Sequence, residues 1–262
     1  MKLCPRLRRR QLALLLSIAA LLFPASNAAQ QVAGTCESKY PSDYCRAVRD
    51  AEMAAPDEVS KNLTAITDSN ANLMWEGRPG CSRLLVATWV DSNTYEKVYK
   101  EKLGQSYTFD SCRYTWVTVA PQVSNFCKGL GLTDQRLTAR LEQLLGLPPG
   151  NGKTNFIEFW VNPDDLFRPC ADPEINDQEC APNFPRSKFL NISLEYVSWF
   201  FDLRNSSYGP SGYPWTRLGY TYDWGNPASH VGLSEFVIRP GSTVKIKATP
   251  STAEYCSGAW KS

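Results

Sequence analysis

Eight cysteines, Cys36, Cys45, Cys81, Cys112, Cys127, Cys170, Cys180 and Cys256, run through the chain from its first quarter almost to its end. An even set in an oxidising compartment reads as a disulfide framework, here of four bridges, and leaves no odd thiol for catalysis. The short spacings make Cys36 with Cys45 and Cys170 with Cys180 attractive pairs, while Cys256 has to reach back across the fold. No C-x2-C pair is present, so the spacing does not suit a structural zinc. A ninth cysteine, Cys4, precedes the framework and is read differently.

The compartment follows from the N-terminus. Lys2, Arg6, Arg8, Arg9 and Arg10 precede an apolar stretch from Leu12 to Phe23, and Ser26-Asn27-Ala28 offers small residues for cleavage. This is the pattern of a secretory signal peptide over residues 1–28, too short in its apolar part for a span that needs about 20 residues. The expectation is a secreted or periplasmic protein with no transmembrane segment after cleavage. Cys4 leaves with the signal. Five of the 28 basic and none of the 26 acidic residues leave too, so 23 positive charges face 26 negative ones, a net −3. No run of Lys or Arg survives, and nucleic acid is not an expected partner.

No repeat or low-complexity linker divides the rest. Residues 29–80 are polar and partly helical, best over Tyr44 to Ala55, and residues 81–262 form the main domain unless the two are one unit. Leu84 to Val90, Tyr114 to Ala120, Asn155 to Val161, Gly219 to Trp224, Leu233 to Ile238 and Thr243 to Ala248 have the β-branched and aromatic composition of strands. The last two are joined by Arg239-Pro240-Gly241-Ser242, which suits a type II turn and predicts a hairpin. Thr133 caps a helix in which Leu137, Leu141, Leu144 and Leu145 form one stripe, closed by Gly146. Asn191 or Ser193 opens a second, with Leu194, Val197 and Phe201 on one face and Asn205 at its end. The predicted class is α+β: a mostly antiparallel sheet of about six strands with two to three packed helices, disulfide-stapled.

His230 is the only histidine, which excludes two-His metal sites and leaves one base for any serine nucleophile; no G-x-S-x-G elbow accompanies it. Gly150-Asn151-Gly152-Lys153-Thr154 ends like a phosphate-binding loop, but it has a helix before it and a strand after it, the reverse of what that chemistry needs. Carboxylates offer three candidate catalytic residues: Glu158 on an apolar strand, Asp223 and Glu235, any two of which could form the acid and base of a glycoside hydrolase. Asp172, Glu174 and Asp177 lie in an acidic loop where Ca²⁺ is conceivable, without EF-hand spacing; no other cofactor is expected.

The densest signal is aromatic. Ten of the 29 residues from Tyr196 to Trp224 are Tyr, Trp or Phe, and Tyr213, Trp215, Arg217, Tyr220, Tyr222 and Trp224 combine flat rings with polar groups. Glycans and extended peptides are held by such surfaces. The first functional expectation is therefore a noncatalytic glycan- or peptide-binding protein, followed by a hydrolase with a carboxylate pair and by a structural or interaction protein of the cell envelope. The phrases Phe167-Arg168-Pro169-Cys170 and Gly219-Tyr220-Thr221-Tyr222-Asp223-Trp224 match no known catalytic or binding signature.

Overall fold

A computed structural model describes residues 35–185 and 192–259. The signal segment, Cys4 and Asn191 lie outside the described residues. The fold is α+β, built on a seven-stranded antiparallel sheet and a separate two-stranded ribbon.

In chain order the elements are α1 (Ser42–Ala51), β1 (Leu84–Asp91), α2 (Ser92–Thr94), β2 (Ser106–Thr108), β3 (Thr115–Val119), α3 (Gln122–Leu130), α4 (Asp134–Leu144), β4 (Lys153–Val161), β5 (Leu166–Phe167), α5 (Leu194–Ser207), β6 (Tyr220–Tyr222), β7 (Val231–Ser234), β8 (Phe236–Ile238), β9 (Thr243–Ala248) and α6 (Thr252–Ser257). The large sheet has the order β2-β9-β4-β1-β3-β8-β5, and β6 pairs with β7. The central pair, β1 and β4, is the longest, with Leu84 opposite Val161 and Val90 opposite Asn155. Both strands are buried along most of their length, which is why they read as near-continuous apolar runs rather than alternating ones.

One face of the sheet gathers Val86, Val117, Phe159, Phe236, Ile238, Val244 and Ile246 into the main core. The other face carries Ala87, Trp89 and Phe156 against α3, α4 and α6, and Val237 and Trp116 against α5. Burying a Leu- or Phe-sized side chain stabilises by about 1.5–3 kcal/mol, so these two cores carry most of the folding drive. Cys127–Cys256 joins α3 to α6 over a separation of 129 residues, and Cys36–Cys45 and Cys170–Cys180 close short loops.

Four expectations need correction. Cys81 is free and exposed. β1 and β3 run antiparallel, so Cys81, just before β1, and Cys112, just before β3, stand at opposite ends of the sheet and cannot pair with each other. The Arg239–Ser242 turn forms, with Gly241 at φ 77° and the Ser242 amide 3.3 Å from the Arg239 carbonyl, but it does not make a hairpin. β8 pairs with β3 and β5, β9 with β4 and β2, and three strands stand between them. Five residues reach at most about 17 Å, whereas four flat strand spacings already span about 19 Å, so the sheet curls to bring β8 and β9 together. The strand expected over Leu233 to Ile238 breaks at Glu235, β7 joining the ribbon and β8 the large sheet.

The fourth correction concerns α5. Ser193 caps it, its hydroxyl accepting from the Tyr196 amide, but the buried residues are Tyr196, Phe200 and Ser207, whereas Leu194 is 82% and Phe201 42% exposed. Apolar rings occur on every side of this helix, so its own periodicity could not select the face. Packing against Phe167 and Trp215 does so.

Candidate functional site

The aromatic segment divides into structural rings and cleft rings. Trp215 is buried with its indole N–H on the Pro169 carbonyl, and its ring meets those of Trp116, Trp199 and Phe200. Tyr220 is buried and donates to the Glu58 carbonyl. Trp224 reaches the Leu147 carbonyl through its indole N–H and stands edge-on to Tyr44. Arg217, in a left-handed conformation at φ 59°, sends its guanidinium to the Ala51 and Glu52 carbonyls, at the C-terminal end of α1. A cation there satisfies carbonyls that the helix leaves unpaired. Gly219, at φ 77°, is needed because a Cβ would lie 2.5 Å from Cδ of buried Arg168.

A cleft of about 520 Å³ opens between the helical face of the sheet, the loop after α4, the end of α5 and the 213–215 loop. Tyr213, Trp215 and Tyr222 border it; Arg217, Tyr220 and Trp224 do not. Trp89, Trp116 and Phe156 complete its aromatic walls. These three escaped the sequence reading because each sits in a strand that counts as core. The signal available was alternation: Trp116 and Thr118 share one face of β3, as Ala87 and Trp89 do on β1.

Of the three carboxylate candidates, Glu235 alone lines this cleft. It occupies the break between β7 and β8, held by its amide on the Gly219 carbonyl. The register of Val117 with Phe236 places Glu235 beside Thr118 on the helical face. Its side chain is almost fully buried, and Oε1 has no hydrogen-bond partner. Burial raises its pKa well above the ordinary carboxylate range, with no charged neighbour opposing the shift. At the other end of the cleft Lys153 opens β4 and donates to the Trp89 carbonyl at 2.7 Å; burial lowers its pKa, partly offset by Asp91.

Glu158 lies in the same crosswise row as Glu235, since it pairs with Ala87, which pairs with Thr118. Three strand spacings separate the two, about 14 Å between Cα atoms. Glu158 is fully buried beside the Tyr255 hydroxyl, whose pKa rises mainly through burial and further through that carboxylate. Asp223 receives both Nη atoms of Arg140 at 2.8 and 2.7 Å and the Gly225 amide. It thereby ties α4 to the β6–β7 ribbon. The structure brings no two of the three candidates together in the cleft.

The acidic loop does converge: carboxylate oxygens of Asp172, Glu174 and Asp177 lie within 4.8 Å of one another. A cation already serves them, because buried Arg168 donates to the Asp177 carboxylate at 2.6 Å and to the carbonyls of Thr64, Asp177 and Glu179. A second group, Asp50, Glu58 and His230, meets where α1 and the following loop face the ribbon. His230 stacks on Tyr222 and contacts the Tyr220 hydroxyl. The Gly150-to-Thr154 loop is likewise occupied, since Glu142 Oε1 accepts from the Gly150 and Asn151 amides that a phosphate would need.

Comparison with protein-family models, with curated proteins and with solved structures returns no match. The functional reading therefore rests on the cleft. The disulfides fit an oxidising compartment, and no helix among the described residues is long and apolar enough to cross a membrane.

Proposed function

We propose that this chain is an exported, noncatalytic binding protein that holds a glycan or a peptide in the cleft between Trp116, Trp215, Tyr213 and Tyr222. The observation that carries the reading is the cleft itself: aromatic walls over about 520 Å³ enclosing a buried carboxyl whose Oε1 has no partner. Ligand sites are concave, largely apolar and provided with a few polar groups that fix orientation. Rings stack on the apolar faces of sugars or side chains, and Thr118, Asn151 and Lys153 add polar groups to the lining.

The test is tryptophan fluorescence titrated with a panel of oligosaccharides and short peptides. Quenching or a blue shift should accompany binding, and Trp116→Ala should weaken it by about tenfold, the loss expected for one aromatic contact. A spectrum that responds to nothing in a broad panel would refute the reading.

A further inference from the structure

We infer that the floor of the cleft takes an alkylammonium group, with Glu235 as its counter-ion and the indoles of Trp116 and Trp215 beside it. This rests on the binding reading above and narrows its ligand to one bearing a primary amine.

Three observations carry it. First, Glu235 is almost entirely buried at the cleft floor and its Oε1 has no partner, a cost that a bound donor would recover. Second, the cation in the cleft lining and the guanidinium nearest to it on the 216–218 loop are committed elsewhere. Arg217 faces the Ala51 and Glu52 carbonyls and the Tyr208 ring, and Lys153 is fixed to the Trp89 carbonyl at the far end of the cleft. Third, indole faces attract ammonium groups electrostatically, most strongly in desolvated sites. A ligand hydroxyl would supply the missing hydrogen bond alone; an ammonium supplies the hydrogen bond, the countercharge and the contact with the rings. The net −3 left after loss of residues 1–28 favours a cationic ligand on approach.

The proton is accounted for as follows. In the empty cleft burial favours the neutral acid form of Glu235. When R–NH3⁺ enters, the carboxyl O–H breaks, the proton leaves to solvent, and an ammonium–carboxylate pair remains. Binding therefore releases a proton wherever Glu235 starts protonated, and it strengthens as pH rises. The titratable groups that face Glu235 are Tyr208 at the end of α5 and Tyr220 on the ribbon, with the Arg217 guanidinium over the Tyr208 ring. Burial raises Tyr208 to about 12 and Tyr220 higher still, so neither tyrosine titrates between about pH 5 and pH 8. His230 meets Tyr220 from outside the cleft lining and is controlled for by His230→Gln.

The experiment compares n-butylammonium with 1-butanol by fluorescence titration and by calorimetry in two buffers of different ionisation enthalpy. The wild-type chain should prefer the amine by about tenfold at pH 8, and by less at pH 5, where binding should release a proton. Glu235→Gln should reduce that preference to about twofold at most, and His230→Gln should leave it intact. Equal affinity for amine and alcohol, absence of proton release at pH 5, or a preference that survives Glu235→Gln would overturn the inference. The proton measurement needs no variant, so it stands even where Glu235→Gln folds poorly. Binding of neutral oligosaccharides or peptides without amine preference would sink this inference and leave the cleft reading; binding of nothing would sink both. To distinguish the sources of the amine, a glucosamine tetramer is set against its N-acetylated form, and N-acetyl-Lys-Ala-Ala against N-acetyl-norleucine-Ala-Ala. The pair in which the cationic member wins by about tenfold names the source.

Discussion

Replacing Glu235 by Gln should stabilise the protein, and by an amount that grows with pH. Burial raises this carboxyl well above its ordinary range, so the folded state keeps a proton that the unfolded chain has released. Below about pH 4.3 both states carry the proton and the residue makes no pH-dependent contribution. Above that value folding must take up a proton, and stability falls by about 1.4 kcal/mol per pH unit until the pH reaches the folded pKa. As long as the pH stays below the folded pKa, each unit of that fall is an appreciable share of the 5–15 kcal/mol that holds a typical domain together. Gln has the same shape and does not titrate. Urea unfolding of both proteins from about pH 4 to pH 7 isolates the effect in the difference between the curves. Carboxylates such as Glu76, Asp91 and Glu254, lowered by their hydrogen bonds, drive stability the opposite way in the acid range, but they are common to both proteins and cancel. The difference should be smallest near pH 4, widen upward and level off at the folded pKa of Glu235. Two curves that stay parallel over the whole range would refute the reasoning.

Asp223→Ala leaves the buried side of Arg140 without its bidentate partner and should cost about 3 kcal/mol in urea unfolding; a loss below about 1 kcal/mol would mean the pair is not what holds α4 to the ribbon. Removing Cys127–Cys256, which closes 129 residues, should cost about 5 kcal/mol, and removing Cys36–Cys45, which closes 9, about half as much; equal losses in calorimetric melts would contradict the loop-length argument. Millimolar calcium should leave the melting temperature unchanged, because Arg168 already occupies the acidic loop; a clear rise would restore Asp172, Glu174 and Asp177 as ligands.

How far each element could be read in advance depended on whether its cause was local. β1, β3, β4 and β9 came within two residues of their observed bounds, since composition and burial pattern coincide there. α4 was legible from the Leu137, Leu141 and Leu144 stripe, all buried. β2 and β5, of three and two residues, carry too little pattern to detect. Glu235 was a candidate from the start, but only as one of three carboxylates on strands. Nothing in the neighbouring residues distinguishes it from Asp223, which turns to Arg140, or from Glu158, which turns to Tyr255. The aromatic run was visible as a count, yet half of its six named residues serve to join α1, the 56–58 turn and the α4 loop to the ribbon.

The sequence by itself determined the α+β class, the long central strands and the type of turn at Arg239–Ser242. Each of these is set by interactions within a few residues: runs of apolar, β-branched and aromatic side chains, the fixed φ of Pro240 and the positive φ that Gly241 allows. Strand order, the curl that replaces the expected hairpin, the isolation of Cys81 and the gathering of Trp89, Trp116, Tyr213 and Glu235 around one cleft were decided by the tertiary structure. They depend on which hydrogen-bonding edges and apolar faces find one another across the chain, a competition among distant partners that no local pattern encodes.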